Sequence, residues 1–282
     1  MTKIIFFGSS SYSVLVLSQL LKIKDFKVIS IVTKSDKPIG RTQLITPNPV
    51  AKFTHDNNLP LLQPEDFNKN LKLKIKNLQA DLGLCVAYGP PFFDQEMIDL
   101  FKFKIVNVHP SPLPKYRGAT PGPWQIIEGE TKTAVTFFQI DESPDHGPII
   151  HQIPFDIRPN ETAQSFYEKA FSLAAANLEN ILKSYIENPN SVIPQDHCQS
   201  SYFPKFNKDS AQINWTWDPK KIDRFIRALN PWPIAWTYIK DLKDNQLKMK
   251  IFSFHTEPVK VQIEGKKITN WSEISKYYTI IK

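Results

Sequence analysis

Short apolar, β-rich runs recur through the first 140 residues with amphipathic stretches between them, and this alternation constrains the fold more than any other feature. Lys3–Phe7 reads as a buried strand ending at Gly8, Ser13–Leu21 as a helix and Lys27–Thr33 as a second strand. Further strands are expected at Leu82–Val86, Lys104–Val108 and Thr133–Ile140, and helices at Pro64–Asn77, Asp94–Phe101 and Pro121–Glu128. Strands alternating with helices make a mostly parallel sheet covered on both faces. The spacing therefore predicts a Rossmann-like α/β domain.

A long helix is expected from Thr162 to Glu187, because Phe166, Ala170, Leu173, Ala174 and Leu178 fall on one helical face. Asn188-Pro189-Asn190 breaks it. Residues 1–188 thus read as one domain, 189–209 as a polar linker and 210–282 as a smaller β-rich, barrel-like unit. That unit has a helix at Pro219–Leu229 capped by Asp218, and β-like runs at Ala235–Ile239, Leu247–Phe254 and Val259–Ile263. Charge follows the same division. Acidic and basic residues balance over 1–199, so the net charge of +7 lies in the last third. A polyanionic partner docking there fits this excess, and so does a lysine-rich surface that only keeps the chain soluble.

Several function classes are excluded. The turn after the first strand reads Gly8-Ser-Ser-Ser-Tyr-Ser, with one glycine where a dinucleotide site needs G-x-G-x-x-G. There is no G-x-x-x-x-G-K-[ST] phosphate loop, no H-E-x-x-H metal pair and no G-x-S-x-G elbow. Two cysteines, Cys85 and Cys198, make no disulfide framework, and the start MTKIIFF is too short an apolar run for a signal peptide. A reducing compartment is expected, with no membrane span.

Of the six histidines, His109 stands apart. An apolar strand delivers Asn107 and His109 to the same side by the period-two alternation of strand side chains, at the carboxyl end where open α/β sheets place ligands. Asn107 supplies a neutral donor for an oxygen that gains charge in a tetrahedral intermediate, and His109 can exchange a proton with an attacking amine. Asp145, in the loop Asp141-Glu-Ser-Pro-Asp-His-Gly147, is the acid available to orient the imidazole. Spacing alone also permits a polar loop anchor with no chemistry. Lys115, Tyr116 and Arg117 follow in a proline-rich loop that can simply cap a sheet edge, though these residues beside His109 are an unusual choice for capping, and Arg117 can equally clamp an internal carboxylate. Arg224 and Arg227, with Trp232 among prolines, combine charge and aromatic faces suited to phosphate pairing and stacking, while Trp232 and Trp236 equally suit a core.

Asn107-Val-His-Pro-Ser-Pro-Leu-Pro-Lys-Tyr-Arg-Gly-Ala-Thr-Pro121, with Asp141-Glu-Ser-Pro-Asp-His-Gly147 after it, resembles the signature of enzymes that use 10-formyltetrahydrofolate. Two further segments are similar to the methionyl-tRNA formyltransferase branch. One is the stretch 35–50, like that branch's acceptor-binding loop, and the other is Ile226-Arg-Ala-Leu-Asn-Pro-Trp-Pro233, like the start of its C-terminal domain. The resemblance implies the formyltransferase fold, 10-formyltetrahydrofolate as co-substrate, initiator methionyl-tRNA as acceptor, and no metal, membrane or obligate protein partner. It implies that Asn107 holds the formyl oxygen while His109 and Asp145 serve the proton transfers. It implies that Tyr88, Gly89, Ser111, Pro112, Leu113, Pro114, Asp141 and Gly147 line the folate site. Arg41 would sit in the acceptor loop, with Lys115, Arg117, Arg224 and Arg227 toward tRNA. A bacterial cytoplasm or an organelle matrix is the implied location.

The chain departs from the family pattern in places. His146 stands where a Thr is usual and Pro148 where an acid is usual. Thr42 and Gln43 replace a basic pair. Leu247–Phe254 runs almost directly into Val259–Ile263, as if the middle of the C-terminal barrel were missing. A sugar-amine N-formyltransferase, a formyl-folate hydrolase and a non-catalytic tRNA-binding paralogue are the rival readings.

Overall fold

The computed structural model describes residues 1–39, 43–90 and 93–281. The chain forms two compact units, the first built from 1–117, 134–155 and 168–202 and the second from 118–133, 156–167 and 203–282. Residues 189–202 therefore pack with the first unit and 203–209 with the second.

In the first unit β1 is Thr2–Gly8, α1 Ser11–Leu20 and β2 Phe26–Val32. Ile4, Ile5, Phe6 and Phe7 are all fully buried, as a parallel strand covered on both faces requires. The turn into α1 is closed by its own side chains. Ser10 and Ser13 form a reciprocal capping box, and the Ser13 hydroxyl donates to Val86 O at 2.6 Å. Amides that face a phosphate in a dinucleotide site are spent here on serine oxygens.

The described residues of the 35–50 stretch form more structure than a loop. β3 (Lys37–Ile39) and β4 (Leu44–Thr46) pair antiparallel, Lys37 opposite Thr46, and α2 (Pro49–Asp56) follows. Asn48 caps α2 by accepting from Val50 N and Ala51 N, with Pro49 in the first turn. That Asn-Pro signal was readable in the sequence, and α2 was not among the expected helices. Arg41 and Thr42 lie outside the described residues.

β5 is Leu61–Leu62, and α3 is Lys69–Leu78, five residues later than the expected start at Pro64. Asn68 is the reason, since its side chain accepts from Leu71 N and fixes the first turn there. β6 (Leu82–Val86) stands as expected. α4 is only Gln95–Ile98, because Leu100 and Phe101 bond back three residues, to Met97 and Ile98, and tighten the end into turns. β7 is Ile105–His109, α5 Pro121–Glu128, β8 Lys132–Gln139, β9 Ile149–Asp156 and α6 Ala163–Glu187. On α6, Phe166, Ala170, Ala174 and Leu178 are buried as the periodicity requires, and Leu173 is half-buried.

The sheet order is β5-β2-β1-β6-β7-β8-β9. β2, β1, β6 and β7 run parallel, and β8 turns back antiparallel to β7. The carboxyl ends of the parallel strands share one edge, which gathers Ser9, Lys34, Ala87–Gly89 and His109. Phe7 anchors the core beneath, its ring edge-on to Phe93 at 5.0 Å and to Tyr88 at 6.0 Å.

The second unit contains α5, α7 (Pro219–Ala228), and strands β10 (Trp236–Asp241), β11 (Gln246–Ile251), β12 (Lys260–Ile263) and β13 (Thr269–Asn270). The short helix α8 (Trp271–Ile274) and strand β14 (Tyr278–Ile280) complete it. Its sheet is antiparallel throughout, in the order β13-β12-β11-β10-β14. The abrupt passage from 247–254 to 259–263 is a hairpin, with Met249 opposite Ile263 and a bridge between Phe254 and Pro258. Asp218 caps α7 at Lys220 N, and Trp124 stacks on Phe206 at 4.5 Å.

Candidate active site

β7 carries Asn107 and His109 to the carboxyl edge. His109 is 5% exposed, with a neighbour at each ring nitrogen. Nε2 lies 3.0 Å from Tyr116 O, and Nδ1 lies 3.5 Å from Asp145 Oδ1. Tyr116 O can only accept, so Nε2–H donates to it and Nδ1 is left facing the carboxylate. With Nε2–H donated to a carbonyl, Nδ1 is the ring nitrogen whose lone pair stays available. The 3.5 Å gap is long for a hydrogen bond, and such bonds tighten when a substrate enters. Asn107 is half-buried, and its amide makes no hydrogen bond to the described residues. An amide with no partner among the described residues, beside a histidine–carboxylate pair, leaves donors for a ligand oxygen.

The loop after β7 is fixed by internal bonds. The Ser111 hydroxyl donates to Lys115 O at 2.8 Å, the Thr136 hydroxyl to Ser111 O at 2.6 Å and the Gln152 amide to Leu113 O at 2.9 Å. Pro112 and Pro114 flank Leu113, which is buried, while Lys115 is exposed. Tyr116 and Asp145 both have left-handed backbone, φ 59° and 54°, a region uncommon for non-glycine residues and better tolerated by aspartate than by tyrosine.

The 141–147 loop has its own ties. Asp141 accepts from Ser143 N at 3.0 Å and pairs with His146 Nδ1 at 2.6 Å. The His146 ring lies flat on His197, with 3.9 Å between centroids. Gly147 backs directly onto Gln139 O, leaving no room for a Cβ. On the opposite side of the edge, Tyr88 buries its ring and stacks on Phe67, and burial raises its phenol pKa. Its turn reaches the surface through Ala87 and Gly89 instead. The Lys34 ammonium sits 4.2 Å over the Tyr88 ring, its pKa lowered first by burial and then by Lys37.

The arginines are engaged internally. Arg117 is 2% exposed. It donates to Gln195 Oε1 from Nε (3.2 Å) and a terminal nitrogen (2.6 Å), and it bonds His197 Nδ1 at 2.9 Å and Tyr202 Oη at 3.1 Å. Arg117 thus clamps an amide and a histidine, where the sequence suggested a carboxylate. In the second unit Arg224 donates to Ile127 O at 2.9 Å, and Arg227 bonds Asp223 and Glu161 O. Trp236 is buried and bonds Lys208 O at 2.6 Å, while Trp232 is 53% exposed. Gln195, His197 and Ser201 carry much of this network and were missed, because polar residues in an irregular stretch give no periodic signal. No group of three or more metal-ligating side chains occurs among the described residues.

The two cysteines differ sharply. Burial pushes the Cys85 thiol up to about 12, and Cys198 is exposed. Iodoacetamide at pH 8 is expected to label one thiol in the native protein and two in urea, counted by mass spectrometry, because a raised pKa leaves little thiolate.

Residues 2–181 match the Formyl transferase family, and residues 205–262 match the Formyl transferase, C-terminal domain family. The methionyl-tRNA formyltransferase of Staphylococcus aureus (strain MW2) is 36% identical over 242 residues, 86% of this chain and 77% of the relative. The chain belongs to the formyl transferase family. The methionyl-tRNA formyltransferase of Chloroflexus aggregans is 35% identical over 237 residues, 84% of this chain and 76% of that relative. Among solved structures, the Clostridium thermocellum methionyl-tRNA formyltransferase superposes with TM-score 0.59 at 18% identity, covering 100% of both chains. The N-formyltransferase of Helicobacter canadensis, in complex with folinic acid and dTDP-3-aminofucose, gives TM-score 0.64 at 23% identity over 90% of this chain and 87% of its own. At these identities the two structures establish the shared formyltransferase fold. No helix among the described residues is long and apolar enough to cross a membrane.

Proposed function

We propose that this chain transfers the formyl group of 10-formyltetrahydrofolate to the amino group of initiator methionyl-tRNA, in a bacterial cytoplasm or an organelle matrix. The observation that carries the reading is Asn107, whose amide has no partner among the described residues, beside the His109–Asp145 pair, in a chain whose curated relatives are methionyl-tRNA formyltransferases. The donor set fits a formyl-folate: a neutral amide for the formyl oxygen, a proton acceptor for the amine and no demand for a metal ligand set.

The folate supplies an activated formyl group. Asn107 donates to the formyl oxygen as it gains negative charge, where a preorganised neutral donor is worth about 2.7–4 kcal/mol. His109, with Nε2–H held by Tyr116 O, takes the proton of the attacking amine at Nδ1 and returns one from there to the departing nitrogen, and Asp145 balances the imidazolium charge. Ser111, Pro112, Leu113 and Pro114 form one wall of the folate site. The backbone of Tyr88 and Gly89 forms another, with Asp141 and Gly147 at the third side.

We assign transfer chemistry to residues 1–188, connection to 189–209 and tRNA contact to 210–282. Arg41 and the exposed Lys115 face the acceptor end in this reading. Arg117, Arg224 and Arg227 support these surfaces from within, since their guanidinium groups are already bonded. Contact by the second unit falls to exposed lysines such as Lys243, Lys250 and Lys260. With about five phosphate contacts, tRNA affinity should fall on the order of 10²-fold between 50 and 200 mM salt. A salt-independent Kd in filter binding would remove the phosphate contacts from this account.

The deciding assay follows labelled formyl from 10-formyltetrahydrofolate with charged initiator tRNA, charged elongator tRNA or no acceptor. Label moving selectively to the initiator is the expected result. Free formate without an acceptor would show a hydrolase. Transfer only to amino-sugar nucleotides would show a sugar enzyme, and tRNA binding with no turnover a non-catalytic paralogue.

A further inference from the structure

We propose that Gln195, in the polar segment after the long helix, is a positioning residue that fixes Asp145 against His109, with Arg117 setting its orientation. The inference rests on the catalytic roles given above to His109 and Asp145.

The Gln195 side chain is buried, and all its polar capacity is in use. Its Oε1 accepts two bonds from Arg117. Its Nε2 donates to Asp145 O at 3.0 Å and to Gly147 O at 2.7 Å. Arg117 can only donate, so the amide has one acceptable orientation. Flipping it would set N–H against guanidinium N–H, and oxygen against two carbonyls. The buried arginine therefore forces both amide hydrogens toward the Asp145–Gly147 turn.

That turn needs an external tie. Asp145 holds φ 54°, a conformation that costs an L-residue some free energy, which neighbouring bonds offset. Gln195 bonds the carbonyls on either side of His146 and so holds the turn at two points. His109 is referenced to the same segment from its other side. Its Nε2 bonds Tyr116 O, Tyr116 N donates to the Ser201 hydroxyl at 2.9 Å, and Arg117 N donates to Ser201 O at 2.8 Å. One stretch, Gln195 to Ser201, thus sets both halves of the His109–Asp145 gap.

Gln195→Glu separates this role from simple core filling. It keeps an acceptor for Arg117 and replaces both N–H donors with an oxygen facing two carbonyls. The expected result is a fall in kcat of about 10–100-fold, the scale of a displacement of about 1 Å at a reacting group. KM for formyl-folate and for methionyl-tRNA should stay within about threefold. In an Asp145→Asn background the added loss should be less than about twofold, since residues acting as one unit are not additive. A kcat within twofold of the parent, or losses that multiply in the double variant, would overturn the proposal. Should Gln195→Glu fail to accumulate folded, Gln195→Met, of similar volume and without donors, carries the same measurements. A crystal structure of the variant gives a readout independent of activity. Asp145 Oδ1 moved by about 1 Å or more from its place beside His109 supports positioning. An unmoved carboxylate defeats it, whereas a parent protein inactive on methionyl-tRNA would defeat only the functional reading.

Discussion

His109→Ala is expected to lower kcat for methionyl-tRNA formylation about 10³-fold, within the range that general acid–base groups contribute. In free energy that is about 4 kcal/mol of transition-state stabilisation. The position of the ring is the reason for so large a number. His109 is buried, oriented by a carbonyl on one nitrogen and facing a carboxylate on the other, so no mobile side chain or bulk water stands ready to replace it. Affinity for tRNA should change by less than about twofold, because the substitution removes no phosphate contact. Stability should fall by about 1–3 kcal/mol, since the buried hydrogen bond from His109 to Tyr116 O is lost, and thermal unfolding would report this separately. Single-turnover rates measured well below the melting temperature therefore isolate the chemical defect. A rate within tenfold of the parent would take the proton transfer away from His109.

Gly147→Ala is the second large effect, and it arises from packing. Gly147 lies against Gln139 O so closely that any Cβ would overlap the carbonyl. The contact is backbone to backbone, and β8, which carries Gln139, is a sheet strand that cannot step aside. The methyl group must therefore push the 141–147 loop outward. Overpacking of this kind costs about 3 kcal/mol, roughly 6–12 °C in Tm for a unit of this size. The displaced loop also carries Asp145, so kcat should drop by at least about tenfold even at temperatures where the variant is folded. Unchanged Tm and kcat would show that the loop relaxes freely and that the glycine serves no close approach.

The two predictions differ in how visible their causes were in the sequence. The Asn107–His109 spacing places both residues at a strand end by alternation alone, and the structure puts them there on β7. Asp145 was identified as the missing acid from its loop, and it does stand beside the imidazole. Pro121–Glu128 and Leu82–Val86 were legible with their limits, because proline at a helix start and an unbroken apolar run are local signals. The start of the third helix lies later than Pro64 because Asn68 supplies the side-chain oxygen that accepts from a free amide of the first turn.

What the sequence determined by itself is the alternation of strand and helix, the parallel sheet with its ligand edge, and the residue types offered there. Those follow from local rules: period two in strands, period 3.6 in helices, and caps within four residues. The tertiary structure alone decided how the charges are used. Arg224 and Arg227 read as contacts for an external polyanion, and Arg117 as such a contact or an internal clamp, until the fold set Ile127 O, Glu161 O and Gln195 against them, 97, 66 and 78 residues away along the chain. A guanidinium carries the same charge in either role. Only folding decides whether water, phosphate or a buried carbonyl meets it, because desolvation and long-range pairing are properties of the packed chain and leave no periodic mark on the sequence.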